Sequence, residues 1–160
     1  MTTTPATATP VPAAPVPAVN GRVIALAHYA SRALLEGVLT RHGLAFEQSV
    51  ALRAVALAGG SLGRDALVAD VVGSLKAPEP AVRAVVEGLV TAGLLAEDPA
   101  EASRLRYTEA GHALVDGTTA ESGEISARLY AGIPAEDLAA AGRVLSLVAE
   151  RANAELAAHR

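Results

Sequence analysis

The sequence predicts a mainly α fold in which six helices accompany one short β-hairpin. Of the 160 residues, 51% are hydrophobic but only 2% are aromatic, and much of the apolar total is alanine, the best helix former. After residue 20, apolar residues recur at intervals of three and four, as the buried face of a helix requires. The length fits a single modest domain.

The composition excludes several other classes of protein. The chain has no cysteine, so disulfide scaffolds and thiolate zinc sites are excluded. Every apolar run after residue 21 is broken by a charged residue well before the roughly 18 residues of a membrane span. Residues 1 to 18 are rich in Thr, Ala and Pro and lack a basic region, which predicts a disordered tail rather than a secretory signal. We therefore expect a cytoplasmic protein with no membrane partner.

Three helices precede a proline-rich turn. The first is capped by Asn20 and ends before Gly43, and the second and third cover residues 46 to 58 and 64 to 75. Between the second and third helices, Gly59–Gly63 lacks the lysine of a phosphate-binding loop, so we interpret this segment as a linker.

A fourth helix and a hairpin follow the turn. The prolines before the helix force an extended entry, so the helix is predicted to run from Pro80 to Gly93. Its inner face is apolar at i, i+3, i+4 and i+7 and consists of Val82, Val85, Val86 and Leu89. Residues 94 to 96 are apolar, residues 97 to 103 are polar, and residues 104 to 107 alternate, which predicts a β-hairpin with a polar tip.

Two helices joined by a tight turn and followed by a hairpin form a winged helix-turn-helix. The second helix of such a unit can enter the major groove of DNA, while the hairpin lies along the adjacent backbone or minor groove. The order of the elements therefore points to double-stranded DNA as a partner.

Several segments, in this order, resemble the MarR family of transcriptional regulators. They are Gly43-Leu44, the helix-turn-helix, AVRAVVEGLVTAGLL at 81 to 95, and YTEAGHALV at 107 to 115. The resemblance covers residues 20 to 160. It implies a homodimer with intertwined first and last helices that releases its operator when a small phenolic or lipophilic effector binds.

The terminal helices support a dimer by their own apolar pattern. Thr108 can cap a helix toward Ala131, and a last helix spans Pro134 to about Ala158. The last helix has two apolar edges, more than one neighbour would cover, although packing within the chain is the alternative. The predicted dimer contacts are Val23, Ala27, Leu34, Leu138, Leu145, Val148, Ala152 and Leu156.

The predicted organisation has three parts. Residues 1 to 18 form the tail, residues 19 to 42 and 109 to 160 form the helical dimerisation region, and residues 43 to 108 form the winged helix-turn-helix, called the head below. The net charge is −4, and most of the acidic excess lies after residue 108. The head is close to neutral, so non-specific DNA binding should be weak. A winged-helix interaction module that has lost DNA binding is the alternative.

Candidate DNA contacts lie on the helices of the head. Arg83 projects from the exposed face of the fourth helix and could reach guanine O6 and N7, although an ion pair with Glu87 competes. Ser74 and Lys76 at the turn would contact phosphate, unless the turn is merely solvated. Arg64 is a weaker candidate of the same kind.

The hairpin supplies further candidates and two departures from the family. Arg104 and Arg106 share one face of the second strand and could lie along the backbone or a narrow minor groove, with Ser103 beside them. The tip has no basic residue, where MarR wings usually carry an Asp and Arg pair. Ala84, on the fourth helix, stands where the family often has a basic residue.

The resemblance places an effector crevice near His28, Tyr29, Arg32, Phe46 and Arg53, with core or interface packing as the competing interpretation of the aromatic residues.

The four histidines show no metal-ligand spacing, and no Gly-x-Ser-x-Gly or His-Glu-x-x-His motif occurs. We predict no metal, no cofactor and no enzymatic activity. The combined prediction is a bacterial homodimer that binds a pseudo-palindromic operator with half-sites about one helical turn apart, with repression favoured over activation.

Overall fold

The computed structural model describes residues 18 to 159, and it confirms the mainly α fold with a β-hairpin wing. The helices and strands of this part are α1 (Gly21–Arg41), α2 (Phe46–Leu57), β1 (Ser61–Gly63), α3 (Arg64–Leu75), α4 (Glu79–Thr91), β2 (Leu95–Asp98), β3 (Glu101–Tyr107), α5 (Glu109–Tyr130) and α6 (Ala135–Ala158). The predicted tail, apart from residue 18, lies outside the described residues.

Two side chains cap helices as the sequence predicts. The Asn20 side chain accepts a hydrogen bond from the Val23 amide at 3.1 Å, and Thr108 Oγ1 accepts one from the Gly111 amide at 3.0 Å. Each satisfies an amide that the first turn of a helix leaves without a partner. The helix α4 begins one residue before the predicted Pro80, with Pro78 in extended conformation as its N-cap.

The interpretation of Gly59–Gly63 as a linker is wrong. Residues 61 to 63 form β1, which pairs antiparallel with β3, and the sheet order is β1-β3-β2. The hairpin also has a tighter tip than predicted, because β2 and β3 extend to Asp98 and Glu101 and leave only two residues between them. A strand of three residues is too short to show an alternating pattern, and its partner lies more than forty positions away.

The core lies among α2, α3, α4 and the sheet. Its largest fully buried side chains in this region are Leu52, Leu67, Leu89, Leu95 and Leu105. Tyr107 is also buried, and its hydroxyl donates a hydrogen bond to the Leu52 carbonyl. Burial raises the pKa of Tyr107 to about 12. The phenol therefore stays neutral and ties the end of β3 to α2, which holds the hairpin against the helices.

The helix α6 is the least packed element of the described chain. It is 24 residues long and has no buried residue, and it makes no extensive contact with any other described element. By contrast, α1 packs on α5, where Arg41 Nη2 lies 3.1 Å from Glu121 Oε2. Among residues 18 to 159, no helix is long and apolar enough to cross a membrane.

Candidate nucleic-acid interface

The turn between α3 and α4 exposes a lysine in an uncommon backbone conformation. Lys76 ends α3 with φ 54°, in the left-handed region, and its ammonium donates to the Gly73 carbonyl. Ser74 and Lys76 are both exposed. The turn therefore presents one hydroxyl and one ammonium to solvent beside the start of α4.

The helix α4 has three kinds of face. Val82, Val86 and Leu89 are buried, as predicted. At 100° per residue, the side opposite this buried face carries Ala84 and Thr91, and both are exposed. Arg83 lies about 100° around the helix axis from the buried face. It is therefore on the side of α4 that faces Asp65 of α3, not on the side opposite the core.

Two carboxylates hold the guanidinium of Arg83. Its Nε donates to Glu79 Oε1 at 2.9 Å, and Nη2 lies 2.8 Å from the same oxygen. Nη1 and Nη2 both donate to Asp65 Oδ1 at 3.2 Å. The hydrogen bond to Glu79, and after it the bond to Asp65, raises the pKa of Arg83 above its usual value. The alternative prediction of an ion pair between Arg83 and Glu87 is wrong. Arg83 pairs with Glu79 and Asp65, and Glu87 pairs with Arg64.

Arg64 connects three elements of the head. It stands at the first position of α3, and its guanidinium pairs with Glu87 of α4 and, at 3.4 Å, with Glu97 of β2. Arg64 is the more buried member of both pairs. Its side chain therefore positions the wing and α4 relative to α3, in addition to the phosphate contact considered from the sequence.

The two arginines of the wing differ in their surroundings. Arg104 Nη2 donates to the Ser61 carbonyl at 2.9 Å and Nε donates to Ser61 Oγ at 3.2 Å, so Arg104 is held between β3 and β1. Arg106 is exposed, and its guanidinium donates no hydrogen bond to any other residue of the described part. Ser103 Oγ donates to Glu101 at 2.8 Å. Arg106 is thus the wing cation most accessible to a phosphate.

The side chains predicted as dimer contacts form exposed apolar faces on α1 and α6. On α6, Leu145 and Val148 are each 43% exposed and Leu156 is 48% exposed. On α1, Leu34 is 44% exposed. The remaining predicted dimer contacts are exposed as well, and they are Val23, Ala27, Leu138 and Ala152.

The five predicted effector residues do not form one crevice. The Arg32 guanidinium stacks on the Phe46 ring at 4.1 Å and both line a cavity of about 330 Å³ between α1 and α2. Arg53 lines a separate cavity of about 220 Å³. His28 and Tyr29 line neither cavity, because they lie on the exposed first half of α1.

The cavity at Arg53 has the composition of a small-molecule site. It lies between α1, α2 and α5 and is lined by apolar side chains together with one arginine, three serines and one tyrosine. Its lining residues are Ser31, Leu34, Leu35, Arg53, Ser122, Ile125, Ser126, Leu129 and Tyr130. Of the polar lining residues, only Arg53 was among the effector residues predicted from the sequence. The serines of α5 reach the cavity only because α5 packs on α1.

The described residues define a class of protein. A helix-turn-helix of α3 and α4 with a buried inner face and an exposed outer face of α4, and a hairpin wing tied to α3 by Arg64, form a winged helix, and two long terminal helices extend from it.

Solved structures share this fold. The chain is similar to NadR in complex with 4-hydroxyphenylacetate, with 18% identity and a TM-score of 0.65 over 87% of this chain and 98% of that one. It is similar to CouR from Rhodococcus jostii RHA1 bound to p-coumaroyl-CoA, with 17% identity and a TM-score of 0.65 over 81% and 90%. A MarR-family regulator from Rhodococcus sp. RHA1 has 18% identity and a TM-score of 0.64 over 81% and 91%. No family model and no curated protein matches the chain.

Proposed function

We propose that this protein is a MarR-type transcriptional regulator that binds operator DNA as a homodimer. The observation that carries the proposal is a complete winged helix with an exposed α4, attached to terminal helices that leave a row of apolar side chains about half exposed in the single chain. The fold shared with the solved MarR-family transcriptional regulator from Rhodococcus sp. RHA1 supports it. We further propose a bacterial, cytoplasmic protein that acts as a repressor.

The dimer would be formed by the terminal helices. An isolated helix is marginal in water and gains its stability mainly from packing of its apolar face. None of the 24 residues of α6 is buried in the single chain, and the end of the helix, at Leu156 and Ala157, lines a cavity with α3 and α4. A second copy related by a two-fold axis would cover the apolar faces of α1 and α6 in both subunits. Residues 19 to 42 and 109 to 160 would then form the dimerisation region, and each head would present one α4.

The DNA contacts would come from α4, the turn and the wing. Arg83 would read guanine, and the exposed methyl group of Ala84 suits contact with a thymine methyl group. Ser74, Lys76 and Arg106 would contact phosphates. Arg83 would have to give up one of its carboxylate partners to read guanine. The other three predicted contacts would likewise have to exchange partners within the chain to reach DNA, and they are Arg64, Ser103 and Arg104.

Removal of Arg83 should weaken operator binding. A bidentate arginine–guanine contact is worth about 1–3 kcal/mol and a two-fold dimer would make it twice, so Arg83→Ala should raise the Kd for the operator at least about thirtyfold. Fluorescence anisotropy with a duplex from the region upstream of the protein's own gene measures this Kd. For the unaltered protein, the logarithm of the association constant should fall linearly with the logarithm of the salt concentration between about 50 and 200 mM. Arg143→Ala, which removes the same charge from the polar side of α6, is the matched control and should change the Kd little.

A second candidate function follows from the charge pairs of the head. Arg64 and Arg83 are each paired with two carboxylates, which reduces the positive charge that the head offers to phosphates. An intact dimer that binds no duplex from its own upstream region, even at low salt, would overturn the regulator and favour a winged-helix interaction module.

We also propose that the cavity at Arg53 takes a small amphipathic acid. Its carboxylate would pair with the guanidinium, and its apolar body would lie against Leu34, Leu35 and Ile125. NadR binds such a molecule, 4-hydroxyphenylacetate. Because this cavity involves α1 and α5, a ligand there would bias the placement of the heads on the dimerisation region.

Thermal unfolding with 4-hydroxyphenylacetate tests this site. At ten times its Kd, a ligand adds about 1.4 kcal/mol to the free energy of unfolding, which should raise the Tm by about 3–6 °C. Arg53→Gln should abolish the rise. Arg32→Gln, in the neighbouring cavity, should retain it. An effect of Arg32→Gln alone would move the site to the other cavity, and no rise in the unaltered protein would refute this ligand class.

A further inference from the structure

We propose that Asp65 and Glu79 control how Arg83 reads DNA: Asp65 occupies the position of the base in free protein and leaves on binding, whereas Glu79 stays and orients the guanidinium. This inference rests on the proposed function as a DNA-binding regulator. It assigns opposite effects to two carboxylates that contact the same arginine.

The geometry shows why Arg83 cannot read a base as it stands. A guanidinium offers two forks that suit bidentate recognition, one from Nε and one Nη, the other from Nη1 and Nη2. Glu79 Oε1 occupies the first fork, at 2.9 Å from Nε and 2.8 Å from Nη2. Asp65 Oδ1 occupies the second fork, at 3.2 Å from both Nη atoms. Guanine O6 and N7 need one complete fork, so one carboxylate must leave.

The structure identifies Asp65 as the carboxylate that leaves. Its side chain is 86% exposed, against 58% for Glu79, and its hydrogen bonds to Arg83 are longer. Glu79 lies four residues before Arg83 on the same helix, the favoured orientation for such a pair, while Asp65 belongs to α3. An exposed ion pair contributes little in water, whereas a bidentate guanine contact is among the strongest specific contacts that a side chain makes with a base. Guanine can therefore replace Asp65.

The same geometry explains what Glu79 does after the exchange. With the Nε fork still bound to Glu79, the Nη1 and Nη2 fork is free and its plane is held in one orientation. A side chain held in its binding conformation loses less conformational entropy when it binds. Glu79 is thus a positioning residue, and Asp65 is an internal competitor of the base.

Asp65→Asn is expected to tighten operator binding about three- to tenfold, because it removes the competitor and one negative charge near the phosphates. Asp70→Asn, an exposed position on the same helix α3 with no ion pair among the described residues, is the matched control and should produce less than half of that gain.

Glu79→Gln should lower the ratio of affinities for operator and scrambled duplex about threefold, even if both affinities rise. Equal gains for Asp65→Asn and Asp70→Asn, or an unchanged ratio in Glu79→Gln, would overturn the inference while operator binding by the unaltered protein still supported the proposed function.

A second measurement needs no DNA. Phenylglyoxal modifies accessible arginines, and mass spectrometry follows each site separately. Arg83 should react more slowly than Arg106 in the unaltered protein and about as fast as Arg106 in the double variant with Asp65→Asn and Glu79→Gln. If Arg83 reacts as fast as Arg106 in the unaltered protein, the two carboxylates do not hold it and the inference fails, whatever the outcome of the DNA experiments.

Discussion

Replacement of Leu145 with glutamate is expected to convert the proposed dimer into monomers. Leu145 lies at the centre of the apolar face of α6, on the same stripe as Leu138, Val148 and Leu156. In the dimer this position would be desolvated, so a glutamate would lose the leucine contacts and bury a charge without a partner. A two-fold dimer contains the change twice. The dimer Kd should rise at least about a thousandfold, which corresponds to about 4 kcal/mol.

Light scattering coupled to size-exclusion chromatography measures the result directly. The monomer mass is 16.1 kDa, and the unaltered protein should elute with twice that mass while Leu145→Glu should elute as the monomer. Ser146→Glu places the same charge among the polar residues of the same helix, between Arg143 and Glu150, and should remain dimeric. A Leu145→Glu protein that stays dimeric would show that this face of α6 is not the interface.

Gly111→Ala is expected to destabilise the head by about 3 kcal/mol. A Cβ at this position would lie 2.0 Å from the Leu94 carbonyl oxygen and 3.3 Å from the Tyr107 ring. The carbonyl cannot easily move, because it accepts the Thr108 amide at 3.2 Å. The new methyl group must therefore displace the start of α5 from the hairpin, and overpacking of this kind typically costs 1–3 kcal/mol or somewhat more. The Tm should fall by about 6–12 °C.

Gly123→Ala is the matched control on the same helix. A Cβ at Gly123 would meet no atom within 4 Å, and alanine is favoured over glycine inside a helix by about 0.5–1 kcal/mol. This variant should therefore be slightly more stable than the unaltered protein. Urea unfolding followed by circular dichroism gives both free energies of unfolding. Equal effects of the two substitutions would mean that Gly111 does not contact Leu94 closely, and that the glycine of the Thr108–Gly111 motif has another role.

The helix boundaries were predictable because local chemistry sets them. Asn20 and Thr108 accept hydrogen bonds from amides three residues away, and Gly43 and Gly93 adopt φ values of 69° and 68° just after α1 and α4. Such interactions depend on the nearest neighbours in the chain, so the residue types at these positions are informative by themselves. The buried face of α4 was predictable for the same reason, since its period is that of the helix.

The partners of the arginines in the head were not predictable to the same degree. The pair between Arg83 and Glu79 has i, i+4 spacing, and the preference for the acid on the N-terminal side of the base was a usable signal for Glu79 over Glu87. The pairs of Arg83 with Asp65 and of Arg64 with Glu87 and Glu97 join different elements. Sequence spacing carries no information about them, because they exist only once α3 packs beside α4 and the wing.

The sequence by itself determined where helices begin and end, which faces are apolar, and the order of elements that makes a winged helix. Only the tertiary structure decided that residues 61 to 63 form a third strand, that three of the predicted effector residues line two separate cavities, and that two carboxylates close both forks of Arg83. The physical reason is the separation along the chain over which each interaction acts. Helix caps and apolar periodicity involve residues within one or two turns of helix. A strand pairing or an ion pair between helices depends on packing that brings distant residues together.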